Sequence, residues 1–221
     1  SFSLKVVVAL VSKMPHHHCH GNHHGCDHSS NDEEIGLQYN LFERIDKENV
    51  QCLNESIEGS GKTVFKPWNE RLDTNHFVES DADEELLFNI PFTGNVKLKG
   101  IRILSDDSDA HPSMLRLFKN RPNMTFDEAT AEPDQIFELQ RDNQGVMEYS
   151  PKIVTFSSVS HLTMHFPSNF GADTTKIYYI GLKGEWTPGH KHGVTICTYE
   201  SRPMLDDHKL KHLDSVSKTI D

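Results

Sequence analysis

Apolar and polar positions alternate with a period of two along much of the chain, the spacing of strands with one buried face. Leu162, Met164 and Phe166 alternate with Thr163 and His165, and Leu115 and Leu117 flank Arg116. Ile136 and Leu139 bracket a shorter run. Leu86 to Phe92 is apolar and β-rich, Thr93-Gly94-Asn95 reads as a turn, and Val96 and Leu98 then alternate with Lys97 and Lys99, which predicts a hairpin. After Gly100 the apolar phase moves to Ile101 and Ile103, which predicts a bulge at the glycine. Lys176 to Leu182 and Val194 to Tyr199 are further extended runs bounded by Gly and Pro. Only Leu37, Leu41 and Ile45 show helical spacing, predicting one short amphipathic helix within Leu37 to Val50. Many short strands with little helix give an all-β class, an antiparallel sandwich, with the jelly roll as the preferred form.

Composition narrows the function classes. The 221 residues suit one domain with tails, and 22 Lys+Arg against 33 Asp+Glu leave a net charge of -11. That balance argues against nucleic acid, whose affinity rests on Lys and Arg displacing counterions. The longest uncharged apolar run, Val6 to Val11, is too short to span a bilayer, so no membrane partner is expected. Cys19, Cys26, Cys52 and Cys197 form no short-spaced framework, which favours a reducing compartment and packed thiols at Cys52 and Cys197. Translation is expected to begin at Met14, and residues 1–13 are set aside from the fold. Residues 1–35 are expected to be a disordered His/Cys-rich tail, 36–200 the folded body and 201–221 a flexible tail.

Several motifs invite chemistry. Gly59-Ser60-Gly61-Lys62-Thr63 suggests a phosphate loop, but Ser56 stands where the first glycine belongs and Pro67 follows too soon for a helix, so a turn is expected. Glu79, Asp81, Asp83, Glu84 and Glu85 offer hard oxygen ligands, and a calcium site shared with Asp106, Asp107 and Asp109 is the alternative to a solvated acidic rim, which is preferred. His16, His17, His18, Cys19, His20, His23, His24, Cys26 and His28 form a weak metal tail suited to adventitious zinc, nickel or copper; no cofactor is required. His111, His161 and His165 are the available acids or bases, but no nucleophile accompanies them, and an enzyme is not expected.

Phe77 to Ile101 (FVESDADEELLFNIPFTGNVKLKGI) and Asn169 to Trp186 (NFGADTTKIYYIGLKGEW) resemble the two most recognisable blocks of the PITH domain, the C-terminal domain of thioredoxin-like proteins that bind the proteasome. Cys52-Leu53-Asn54-Glu55, Val64 to Trp68, Leu117 to Asp127 and Glu132 to Gln135 extend the resemblance across roughly residues 36–200. No Cys-Gly-Pro-Cys precedes them, so reductase activity is not carried over. The resemblance implies a jelly roll of the galactose-binding type, a cytoplasmic location extending to the nucleus, and a non-enzymatic module on the proteasome regulatory particle; a monomer is expected. Candidate partner contacts are Glu79, Asp81, Asp83, Glu84 and Glu85, the turn residues Phe92 and Asn95, and Asn169 and Asp173 in the second block. The rival reading is a jelly roll binding a sugar or other small polar molecule. Such a site usually needs an exposed aromatic platform, for which Trp68 and Trp186 are the only tryptophans.

Overall fold

The computed structural model describes residues 34–189. A helical turn over 34–38 passes into a 3-10 turn at Asn40–Arg44. Eight strands follow: β1 (Gln51–Leu53), β2 (Val78–Glu79), β3 (Leu86–Leu104), β4 (Met114–Lys119), β5 (Gln135–Glu138), β6 (Val159–Phe166), β7 (Lys176–Ile177) and β8 (Tyr179–Pro188). One sheet runs β1-β3-β6-β4-β5, β8 joins the far half of β3, and β2 pairs β7 in a separate ribbon, every pairing antiparallel. The fold is a jelly-roll β-sandwich. Phe88, Ile90, Leu117, Leu162, Met164 and Phe166 meet Leu98, Ile101, Ile103, Ile180 and Leu182 in a single core. Burying each such side chain contributes about 1.5–3 kcal/mol.

The alternation of β6 and the apolar run of β3 are found where the sequence places them, and the phase change at Gly100 is a bulge. The β3–β8 register shifts between Leu98 and Gly100, leaving Lys99 as the extra residue. The expected turn at Thr93-Gly94-Asn95 does not form. β3 continues as one strand of 19 residues, and these residues mark a change of partner instead. Between the Pro91–His161 and Val96–Val159 pairs β3 advances five residues while β6 advances two, so β3 bulges away from β6 as β8 takes over from Gly94 onward. Gly94 is needed for close approach: a Cβ there would stand 2.4 Å from the Thr187 carbonyl oxygen and 2.7 Å from Trp186 Nε1.

Two further expectations change. Leu41 and Ile45 are buried but Leu37 is 74% exposed, because the helical spacing is broken by a 3-10 turn and Ile45 bridges Phe92. The polar face of β6 is also covered. Leu87, Phe118, Met124 and Ala129 form a second small core over it, closed by the single-turn helix Phe126–Ala129, whose Thr125 and Glu128 make a reciprocal cap. Thr163 and His165 are therefore buried. Cys52 is half-buried and free, and burial together with the Glu55 carboxylate pushes its thiol up. Cys197, the run Val194 to Tyr199, residues 1–33 and 201–221 and all the tail ligands from His16 to His28 lie outside the described residues, while residues 34 and 35, expected in the tail, belong to the first helical turn.

Two buried histidines join loops to sheets. His111 Nδ1 donates to the Pro112 carbonyl at 2.8 Å and Nε2 accepts from Asp142 N at 3.1 Å, which sets a neutral tautomer. His165 Nε2 lies 2.6 Å from Glu85 Oε1, while its buried Nδ1 finds no partner among the described residues. Burial lowers both pKa values; hydrogen bonds to the Pro112 carbonyl and to Glu85 oppose it without reversing it.

Three outcomes follow from this packing. Deleting residues 1–33 leaves a cooperative thermal transition, since the described core draws on residues from Ile35 onward; loss of cooperativity would place the tail in the fold. Gly94→Ala costs about 1–3 kcal/mol in denaturant melts, through the forced separation of β3 from β8. The unfolded chain takes up protons on His111 and His165 near pH 6.5 while the folded chain resists, so this stability is present above that pH and is lost as pH falls below it. The melting temperature is accordingly lower at about pH 5 than at about pH 7.5, and His165→Gln flattens that dependence.

Candidate functional site

The two blocks of sequence that carry the acidic and the polar candidates come together at one end of the sandwich. Glu79 of β2 pairs with Lys176 of β7 in the backbone register and through a 3.3 Å ion pair, and Thr174 Oγ1 donates to Glu79 at 3.1 Å. Ser80 N donates to the Thr175 carbonyl, Thr175 N to Ser80 Oγ, and Thr175 Oγ1 to the Glu84 carbonyl at 2.6 Å. Asn54, held at a positive φ of 67°, ties the β2–β3 loop down from beneath: its amide donates to Asp83 Oδ1 at 2.8 Å and to the Glu85 carbonyl at 2.7 Å, and its oxygen accepts from Ala82 N.

This wiring sorts the acidic candidates. Glu79 is spent on Lys176, Glu85 on His165, and Asp83 on Asn54 and the Glu85 amide. Asp81 and Asp173 are exposed, and Glu84 is half-exposed, its backbone carbonyl accepting from Thr175 Oγ1 and its carboxylate without a hydrogen bond or ion pair among the described residues. Asn169 faces its own loop, donating to the Ala172 and Thr174 carbonyls and accepting from Gly171 N, so it shapes the loop. Phe92 is 8% exposed in the core, so the expected contact there is corrected: its side chain is unavailable to a partner. Asn95 is half-buried at the β3–β8 crossover, ten residues beyond Glu85 and past Pro91, where β3 bulges away from β6, so it lies in another part of the sheet.

One residue of this end escapes reading from sequence. Phe170 is 39% exposed, with the edge of His111 at 6.0 Å between centroids and the Arg141 guanidinium 4.8 Å from its ring. Arg141 in turn pairs with Asp109, and Phe170 N donates to the Asp109 and His111 carbonyls. A fixed aromatic ring thus stands in the same loop as Asp173. Its contacts come from residues 30 to 60 positions away, so no local pattern marks it. A second exposed feature is an apolar groove of about 560 Å³ lined by Ile35, Trp68, Leu72 and Val146, of which Leu72 is 56% and Val146 67% exposed.

The other motifs resolve into structure. The amides of Gly59 and Gly61, which a phosphate loop would aim at its ligand, each donate at 2.6 Å to the Glu55 carboxylate. An internal anion fills that cradle. Among the described residues no three His, Cys, Asp or Glu side chains gather as metal ligands; Asp106 accepts from Ser108 within its own turn, and Asp109 pairs with Arg141. Trp68 is buried beneath the Arg71 guanidinium at 4.0 Å, and Trp186 is half-buried with Arg44 at 4.6 Å, so neither ring is an open platform.

Comparison with known proteins places these features in a lineage. The PITH domain model matches residues 31–203. PITH domain-containing protein CG6153 of Drosophila melanogaster is 60% identical over 94% of this chain and 100% of its own, and human PITH domain-containing protein 1 is 58% identical over 89% and 95%. Among solved structures, the C-terminal domain of a chitobiase from Bacteroides fragilis is 17% identical, covers 65% of this chain and 99% of its own, and gives a TM-score of 0.42. With a family match that spans every described strand and identity near three residues in five across almost the whole of both relatives, the chain belongs to the PITH domain family.

Proposed function

We propose that this chain is a non-enzymatic interaction module of the cytoplasm and nucleus that docks on the proteasome regulatory particle through the end of the sandwich where the β2–β3 and 169–175 loops meet. The observation that carries the reading is that one rim presents Asp81, Glu84 and Asp173 beside the fixed ring of Phe170. That combination divides the labour of association. Exposed like charges steer encounter with an oppositely charged surface, and an aromatic side chain held by its own neighbours anchors the complex at little entropic cost. The buried titratable groups support a non-catalytic role: both nitrogens of His111 are occupied, His165 is closed over by Phe126 and Glu85, and the Cys52 thiol is pushed up. The assembly itself is proposed from the family resemblance, and the rim supplies the surface for it.

The test is capture of the regulatory particle from a cytosolic extract by the full chain, followed by association and dissociation rates with purified particle. Asp81→Asn/Glu84→Gln/Asp173→Asn is expected to slow association severalfold and to flatten its salt dependence with melting unchanged. Phe170→Ala is expected to leave the on-rate nearly intact and to raise the off-rate by about tenfold or more. Equal rates for wild type and both variants would move the contact off this rim; failure of wild type to capture the particle would remove the proposed partner.

A further inference from the structure

Away from the acidic rim, the face of β1, β3 and β6 that bears Gln51, Asn89 and Thr163 opens into a pocket of about 420 Å³, a size at the lower end of small-molecule sites. It shares no residue with the rim. Asp46, Asn49, Gln51, Arg121, Asn123 and His161 line its walls, while Asn89 and Thr163 lie buried at its base. The base is fully engaged: Asn89 donates to the Met124 carbonyl at 2.9 Å and accepts from Met124 N at 3.1 Å, and Thr163 Oγ1 lies within hydrogen-bond reach of Asn89 Oδ1 and the Arg121 carbonyl. Those bonds fix the loop that carries Arg121 and Asn123. Asn120 and Asn123, both at φ 55°, give that loop its sharp path, and Asn120 ties it to Ser158 and Ser160 of the β6 start. On the opposite flank, Asp46 N donates to the Pro91 carbonyl at 2.9 Å, which anchors the second wall to β3.

Two opposite charges on these walls lack ionic partners. Arg121 is half-buried, its guanidinium 5.1 Å from the Phe118 ring, and among the described residues it has neither an ion pair nor a side-chain hydrogen bond. In a chain with 33 Asp+Glu against 22 Lys+Arg, a partly buried guanidinium without a carboxylate is a notable vacancy of pairing. Asp46 is half-buried too; Asn49 Nδ2 donates to its Oδ2 at 2.7 Å, and no cation approaches it among the described residues. The two line the same pocket without forming an ion pair with each other. Each is thus partly desolvated and unneutralised, a cost that a ligand carrying both charges would offset.

We propose that this pocket binds a small zwitterion of the amino-acid class, its carboxylate on Arg121 and its ammonium on Asp46, with Asn49, Gln51, Asn123 and His161 reading the remaining polar groups. A simple anion matches less well, because the acidic Asp46 lines the same space. A neutral sugar matches less well again: it leaves both charges uncompensated, and the lining holds no Trp, Tyr or Phe ring to stack on, its accessible apolar surface coming from half-buried Pro91 and exposed Pro122.

The experiment is an amide-resonance titration of the full chain with the standard L-amino acids and glycylglycine, alongside N-acetylated and C-amidated forms of the best binder, D-galactose and inorganic phosphate. The expected result is a saturable shift centred on residues 46–51, 121–123 and 161 for at least one zwitterion, weakened about tenfold or more when either end is capped. Arg121→Gln and Asp46→Asn should each weaken binding by a similar factor while melting as wild type does. The proposal is overturned if no zwitterion gives saturable shifts there, if capping or either substitution leaves affinity unchanged in a folded protein, or if galactose or phosphate binds as tightly. None of these outcomes touches the rim, so the docking reading stands or falls separately.

Discussion

The structure depends on one constraint: β3 has to serve both halves of the sandwich without leaving the sheet. A strand of 19 residues at about 3.3 Å per residue would reach roughly 60 Å, whereas a globule of the size described is about 40 Å across. It must therefore bend, and the bend is made where its partner changes. Val96 is the hinge of that exchange, paired with Val159 of β6 on one edge and with Trp186 of β8 on the other. The bulge between Pro91 and Val96 and the second at Lys99 add local twist, and Gly94 lets the two backbones close at the crossover. Everything else takes its place from this strand. Its start sets the acidic loop, the stretch from Asn89 to Pro91 lines the polar pocket, and its end brings Leu104 against Trp68 and Tyr179.

Buried polar groups then lock the loops onto that frame, and in doing so they decide which surface charges are free. Glu55 turns inward to satisfy two glycine amides, Asn54 holds the β2–β3 loop, and Glu85 reaches back to His165. Leaving a buried polar group unmade costs more than an average hydrogen bond contributes, so these carboxylates and amides cannot be exchanged for a partner's groups without loosening the fold. A count of acids along the segment Glu79 to Glu85 thus overstates its outward charge. The free part is Asp81 and Glu84, joined from across the ribbon by Asp173.

How much of this could be read from the chain varies with the range of the interaction. The alternation of Leu162 to Phe166, the phase change at Gly100 and the all-β class were legible because they are properties of neighbouring residues. Thr93-Gly94-Asn95 misleads because turn chemistry and close-approach chemistry use the same residues; only the presence of β8 opposite Gly94 decides between them. Ile136 and Leu139 mark a strand, yet Gln135 and Phe137 are the residues that β5 turns inward, since the register with Leu117 and Leu115 sets the face. The polar side of β6 looks solvent-facing until the loop from Asn120 and the helix Phe126–Ala129 close over it. For the candidate site, the acidic and polar stretches were visible, whereas their meeting through β2 and β7 depends on pairing across about a hundred residues. Phe170, Arg121 and Asp46 had no local signature, because their significance lies in what does or does not stand opposite them.

The two candidate surfaces also differ in how they would respond to the solvent, and this follows from where their charges sit. At the rim the free carboxylates project outward, so their field is shared with bulk ions and falls off over about 10 Å in moderate salt. They can shape an approach but contribute little once contact is made, which leaves Phe170 to hold the complex. In the pocket, Arg121 and Asp46 are half-buried, and the walls that carry them are held by bonds from Thr163 Oγ1 to the Arg121 carbonyl and from Asp46 N to the Pro91 carbonyl, so a ligand that pairs them meets a preformed cleft. Salt would therefore act mainly on the rate at the rim and less on the pocket, whose half-buried charges are screened less. A single β-strand thus supports two kinds of recognition: one built from loops gathered at its beginning, the other from walls that flank a polar base on its face.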